Sequence, residues 1–462
     1  MSIGWDLLWF IICVSLLVTI HEFGHYWVAR RLGFKVLRFS VGFGKPLLRW
    51  VGKGPDHIEY VVAALPLGGY VKMLDEREGL VAPADAARAF GAKAPWKRIL
   101  VMLAGPAANI LFAIVVLWAI YWSTEIVRVR PIAADIVVGS PAAAAGLRDG
   151  DVLLAINGNA VEDQGDAGIE LLDAVSDDGE IPLEVRGRDR SVRDITLVIA
   201  DPAQRRKLTE PEQLMKGLGF EFWMPEVPAV LDGIVPGEPA DKAGLLPGDL
   251  VVAIDGTPIR SFAEFVDYVR ARPGKELLVK VTRNGASLTK RVTTLTEKEK
   301  GKTYGRLGVK RVEDITNFVP AERLVRTDLG PMAALGAAAG RAWQLTAMQT
   351  KFFVRMLTGR ISLKNLSSPI GIASYAGDSA RAGAGQYISF LVLISLSLGF
   401  LNLLPIPILD GGQIVFVVVE WLKGSPLSER AQMVGWNAGL VMLALLMGVA
   451  VFNDLSTRFG SS

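Results

Sequence analysis

Cysteine is almost absent from this 462-residue chain: Cys13 stands alone, which excludes an intrachain disulfide framework and a metal site built on thiolates. Histidine is nearly as scarce, with only His21, His25 and His57, so a metal site must draw on those few and on carboxylates. An excess of one charge is missing as well. Lys and Arg number 50 against 47 Asp and Glu, for a net charge of +3, so no global field favours nucleic acid and none is expected as a partner. Charged residues reach only 21% against 51% hydrophobic ones, and mean hydropathy is +0.34. That balance excludes disordered, collagen-like and disulfide-rich classes. It points to a membrane protein with soluble insertions.

A helix crossing the hydrocarbon core needs about 20 mostly apolar residues. Four stretches qualify. Leu7 to Ala29 is interrupted only by His21, Glu22 and His25, while Ile99 to Trp122, Gln386 to Leu409 and Met433 to Phe452 carry no formal charge. The first has no basic start or small-residue cleavage site and runs into HYWVARR, so it reads as a retained span rather than a signal peptide. Residues 30–98 hold Arg30, Arg31, Lys35, Arg38, Lys45, Arg49 and Lys53, then Lys93, Lys97 and Arg98. The positive-inside rule places this segment in the cytoplasm and the long insertion after the second span on the opposite side. The lipid bilayer is therefore the first expected partner.

Two smaller segments stand out. Within residues 316–385, Pro331 to Leu357 reads as a helix with Arg341, Gln344, Lys351 and Arg355 on one face, a pattern that suits the membrane interface. Glu59 to Met73 is β-branched and broken by Gly68 and Gly69. It reads either as a cytoplasmic hairpin or as a membrane-dipping one covered by protein or a water-filled cavity.

The insertion states one phrase twice. SPAAAAGLRDGDVLLAINGNAV runs from Ser140 to Val161 and EPADKAGLLPGDLVVAIDGTPI from Glu238 to Ile259, with Gly146 and Gly244 98 positions apart, the size of a small domain. Each copy reads as a short helix, a Gly-Asp turn, an alternating strand and an Asn-Gly or Asp-Gly turn. Domains are expected at 123–224 and 225–315. The phrase resembles PDZ domains in a circularly permuted arrangement, and Leu218-Gly219-Phe220 and Leu307-Gly308-Val309 stand where that family has its carboxylate-binding loop. The resemblance implies peptide capture. Spacers or lids that bind nothing are the plainer reading.

The sharpest local signal is His21-Glu22-Phe23-Gly24-His25, inside the span of residues 1–29. Positions i and i+4 share a helix face, so both imidazoles can hold one ion, with Glu22 beside it to take a proton from an attacking water. Two histidines and a carboxylate suit zinc better than calcium or magnesium. A glutamate within an apolar span is costly unless it has work or a partner. His57 lies in a charged loop and reads as an exposed residue. Asp410 is the better third ligand: it follows Pro405 and Pro407, which break the span of residues 386–409, and it opens the short apolar helix that precedes the fourth span within 410–462. Its alternative duty is to cap that helix.

These residues resemble the site-2 protease family of intramembrane zinc metalloproteases. HEFGH matches its first motif, Leu409-Asp410-Gly411 its second, and Gly105-Pro106-Ala107-Ala108-Asn109 a further pattern. The order of four spans, with two PDZ-like domains after the second, extends the likeness over nearly the whole chain. The resemblance implies a multi-span α-helical membrane protein with four transmembrane helices and two inserted α+β PDZ-like domains. It implies Zn2+ held by His21, His25 and Asp410, with Glu22 as general base. Asn402 would help hold substrate or the developing oxyanion, and Gly68-Gly69-Tyr70 would belong to a β element that receives substrate as an added strand. The implied substrate is a single-pass protein of the bacterial inner membrane, such as an anti-sigma factor already cut once outside, or a remnant signal peptide. Two readings compete: a metal-binding scaffold without cleavage, and a transporter lined by His and Asp. Transporters more often show broken spans in two related halves, whereas this repeat lies outside the membrane.

Overall fold

Helix α1 (Ile3–Arg31) buries Cys13, Leu17, His21, Gly24 and His25, a stripe at helical spacing, while Leu8, Ile12, Leu16, Phe23 and Trp27 face outward. Helices that are apolar all round with one packed stripe suit lipid on the remaining faces. The structure is a computed structural model and describes residues 3–177, 179–299, 302–312 and 315–459. Among these, four helices are long and apolar enough to cross a membrane: α1, α2 (Pro95–Ser123), Ala384–Asn402 and Glu429–Ser456. The protein is a membrane protein with inserted β-rich units.

The chain divides into two units, one from Met1–Glu125 with Asp328–Phe452 and one formed mainly by Ile126–Thr327. In the first, α1 and α2 approach closely. A Cβ on Gly24 would meet the Ala104 carbonyl at 2.2 Å, so the glycine inside the histidine motif sets the helix separation.

The third spanning helix ends at Asn402, seven residues before Leu409, because Pro405 and Pro407 cannot continue the hydrogen-bond ladder. The intervening chain satisfies much of its own backbone. Leu404 N–H donates to Leu401 O, Ile406 N–H to Leu404 O, Leu409 N–H to Ile406 O, and the Gln413 amide covers Pro407 O at 2.8 Å. Helix resumes at Asp410–Lys423. Cβ atoms on Gly411 and Gly412 would lie 2.3 Å from Leu403 O and 2.2 Å from Ile406 O, so only glycine lets the new helix start against this turn.

The Pro331–Leu357 helix has the expected bounds, but it is seated as well as amphipathic. Ala338 and Ala342 share a buried cluster with Ala113, Leu117, Val392 and Leu396 of two spanning helices. The Pro369–Arg381 helix lies within a stretch that the sequence reads only as a connector. It packs on α1, where Arg381 Nη2 lies 2.8 Å from Asp6 Oδ1 and Gly377 leaves room for the Asp6 side chain.

Strands β1 (Val36–Val51) and β2 (Glu59–Met73) form an antiparallel pair bent back on itself. Phe39 aligns with Val71 on one side and Tyr60 on the other, while Pro46–Val51 continues along Glu59–Ala63. The Gly69–Met73 run is thus an edge, with no further strand paired outside it among the described residues.

In the second unit, Ile126–Val129 pairs antiparallel with Leu324–Thr327, so the insertion closes at Thr327. Between these strands lie two four-stranded sheets of the same order: Asn159–Ala160, Val152–Ile156, Glu180–Arg186, Val192–Val198, and then Thr257–Pro258, Leu250–Ile254, Glu276–Arg283, Ala286–Thr293. Each sheet carries its own core, one around Leu153, Leu171 and Leu183, the other around Val251, Phe265 and Val279. The Asp of each Gly-Asp turn is buried and ion-paired, Asp151 with Arg193 and Asp249 with Arg283.

Candidate metal centre

One turn apart on the buried face of α1, His21 and His25 are each 7% exposed, and their Nε2 atoms lie 3.2 Å from one another. Asp410, in the first turn of the Asp410–Lys423 helix, brings Oδ2 to 3.1 Å from His21 Nε2 and 3.4 Å from His25 Nε2. Leu409 occupies the cap position, so the Asp410 carboxylate turns inward instead of capping its helix. The three side chains offer ligand atoms within 4.8 Å of one another.

The surroundings fix which atoms converge. His25 Nδ1 lies 2.7 Å from Val101 O of α2, a hydrogen bond that puts the proton on Nδ1 and turns the Nε2 lone pair inward. Asn109 Nδ2 stands 3.4 Å from His21 Nδ1, and its own backbone carbonyl accepts from Ser395 Oγ at 2.8 Å. Asp410 Oδ2 is buried and in no hydrogen-bond geometry. Lone pairs converging in a buried site repel unless a cation lies among them, and two imidazoles with one carboxylate are a donor set that zinc takes. The residues fit the metal.

Gly105 makes this possible. A Cβ there would meet His25 Nε2 at 2.3 Å, His25 Cε1 at 2.7 Å and His21 Cε1 at 2.8 Å. Gly105 and Asn109 belong to the α2 motif singled out in the sequence, where nothing in composition or spacing reveals their contact with the imidazoles.

A cavity of about 300 Å³ opens beside the donors, lined among others by Glu22, Tyr70, Met73, Met102 and Asn402. Glu22, Tyr70 and Asn402 therefore share the space in front of His21, His25 and Asp410. The Asn402 amide nitrogen also donates to Leu398 O at 3.0 Å, which anchors the side chain at the end of its helix. Gly69 brings the strand edge onto α1, since a Cβ would lie 2.7 Å from Ser40 O and 3.1 Å from Glu22 Cγ. Gly68 is buried against the Phe43 ring and is not among the cavity-lining residues. His57 is exposed and apart from the donor cluster, as its charged loop suggests.

The Leu-Gly phrases of the second unit are packed internally. Leu218 and Phe220 are core residues, and the N–H groups of Gly219 and Phe220 both donate to Met215 O, ending a helical turn. The Gly219 carbonyl accepts from Val137 N–H and Ser140 Oγ. In the second copy Leu307 is buried, its carbonyl accepts from Ala240 N–H, the Gly308 carbonyl accepts from Val235 N–H, and Val309 begins a strand paired with Leu231–Ile234. In the first copy, then, two amides expected to meet a peptide carboxylate already serve as a helix C-terminus.

Residues 9–446 match peptidase family M50. The chain is 39% identical over 457 residues to the regulator of sigma-E protease RseP of Escherichia coli, covering 99% of both chains. It is 38% identical to the protease RseP of Yersinia pestis, covering 99% of both chains. A protein named "Putative zinc metalloprotease" in Xylella fastidiosa is 39% identical, with 97% of this chain and 98% of that one covered. Two buried imidazoles converging with one carboxylate, a second carboxylate beside them and a whole-chain match agree: the chain belongs to peptidase family M50, the site-2 proteases, and is a zinc metalloprotease.

Proposed function

We propose that the protein cleaves single-pass membrane proteins within or beside their span, with His21, His25 and Asp410 as zinc ligands and Glu22 as general base. The observation that carries this is the meeting, in one cavity, of three metal donors, a separate glutamate and a free strand edge. Bound zinc supplies the Lewis acid that polarises the scissile carbonyl and acidifies the attacking water. Glu22 takes the proton of that water and delivers it to the leaving nitrogen. A substrate helix hides its peptide bonds in i to i−4 hydrogen bonds and must unwind to be cut. The Gly69–Met73 edge offers replacement partners by strand addition, with Asn402, which lines the same cavity, holding the bond.

The protein sits in the bacterial inner membrane, with residues 30–98 cytoplasmic and the insertion periplasmic. The repeats of the insertion are PDZ-like and exclude substrates that retain a large outer domain. Its substrates are an anti-sigma factor already cut outside, and remnant signal peptides. The name of the Escherichia coli relative, a regulator of sigma-E protease, supports the first of these. The test compares the parent with Glu22→Gln at equal zinc content on a reconstituted single-pass substrate without its outer domain. The parent cleaves and the variant is slower by about a hundredfold or more. Equal rates would remove Glu22 from the chemistry.

A further inference from the structure

A second cavity, of about 760 Å³, is lined by residues that neighbour those of the catalytic one along the same three segments of chain. Past Met73 on β2 it reaches Asp75; one turn before Met102 on α2 it reaches Arg98; one turn after Asp410 it reaches Gln413. Its far wall is the Glu429–Phe459 helix. Resting on the function proposed above, we propose that this cavity binds the lysine- and arginine-bearing cytoplasmic flank of the membrane substrate.

The charges favour a cation. Arg98 Nη1 and Glu420 Oε2 pair at 2.8 Å with both side chains nearly buried, and Arg77 pairs with Asp75 at 2.6 Å. These four cancel. Glu76 and Glu429 remain, both exposed and without an ion pair among the described residues. Gly91 keeps space for one of them, since a Cβ there would lie 2.5 Å from Glu76 Oε2. The Glu429–Phe459 helix adds Met433 and Trp436, exposed by 62% and 53%. An indole face beside carboxylates takes ammonium and guanidinium groups through cation–π contact, and the apolar wall takes their methylene stems.

The complementary ligand follows from membrane topology. A single-pass protein carries its lysines and arginines on the cytoplasmic side, next to the last residues of its span. Residues 30–98 carry the same signature, so the cavity opens on that side of the bilayer in the proposed orientation. A substrate bond placed before Glu22 then leaves its basic flank one helical turn away, along Asp75, Arg98 and Gln413. Occupation of the cavity would set the depth at which the substrate is held and so which bond meets the donors.

The test uses the full chain, loaded with zinc, in phosphatidylcholine nanodiscs, where the lipid offers no net charge to the probe. The probe is a short fluorescent peptide of alternating lysine, arginine and serine, compared with one in which serine replaces every basic residue. The parent binds the basic peptide and not the neutral one. Glu76→Gln and Glu429→Gln each weaken binding by about fivefold, the change that ~1 kcal/mol of ion pairing gives. In cleavage, the double variant shows a raised KM and unchanged kcat for a basic-flanked substrate, and unchanged constants for a neutral-flanked one. Equal binding by parent and double variant, or equal binding of both peptides, overturns the assignment. Peptide binding by the parent without hydrolysis of either substrate would defeat the protease reading alone.

Discussion

Gly105→Ala tests whether the two spanning helices are fitted to the metal. The added methyl would start 2.3 Å from His25 Nε2 and 2.8 Å from His21 Cε1. Contacts of this kind settle near ~3.5 Å, so the imidazoles must retreat by about 1 Å or α2 must move by as much. Helix movement is opposed at Gly24, where α1 already lies against the Ala104 carbonyl, and by the bond from His25 to Val101 O. Zinc–nitrogen distances tolerate about 0.2 Å, so the site loses geometry well before it loses fold. Zinc affinity falls by about ten- to a hundredfold, the range for disturbed supporting contacts around a metal. Competition with a graded series of chelators measures it, and the melting temperature of the chelated protein controls for packing. An unchanged zinc affinity in a normally folded variant would refute this account of Gly105, and with it the packing of α2 against the histidines.

Asn109→Ala removes the side chain beside His21 Nδ1 and lowers zinc affinity by about tenfold in the same competition, with the helix bundle intact. Phe265→Ala opens the second core of the insertion and costs about 3–5 kcal/mol there. Hydrogen exchange should accelerate in Leu250–Ile254 while Val152–Ile156, in a separate core, stays protected. The Arg283 guanidinium beside Asp249 holds its carboxyl below the usual carboxylate range. Its contribution to stability is therefore complete above the unfolded value of about 3.9 and is lost as pH falls through the lower folded value. Protection of Leu250–Ile254 should drop on acidification below about pH 4, and Asp249→Asn should remove that drop while lowering protection at neutral pH.

The sequence is most legible where one residue type cannot stand alone. His21, Glu22 and His25 declare themselves because ionisable groups in an apolar span need a purpose, and Asp410 because two prolines expose it. The repeat is legible because the same Gly-Asp and Asn-Gly or Asp-Gly turns recur, and the strands Val152–Ile156 and Leu250–Ile254 keep the spacing of 98. Less visible are features set by partners far along the chain. β1 pairs with both ends of β2, a doubling that no local pattern specifies. Arg341, Gln344, Lys351 and Arg355 mark the polar face of Pro331–Leu357 in the sequence, whereas Ala338 and Ala342, bland in sequence, seat it on two spans. The Pro369–Arg381 helix mixes small and polar residues, and its place depends on Asp6 at the other end of the chain. Glycines follow the same rule. Gly105 is ordinary in a spanning helix until the imidazoles appear beside it.

The distance along the chain between the converging donors has a consequence for biosynthesis. His21 and His25 are made within the first span, whereas Asp410 follows 385 residues after His25. Two β-rich domains and a third spanning helix must be synthesised in between. A ribosome-bound chain thus carries two imidazoles and a glutamate in its first span before the third donor of the cluster has been made. Until Asp410 has been made and has packed against the first helix, the cluster of donors is therefore incomplete.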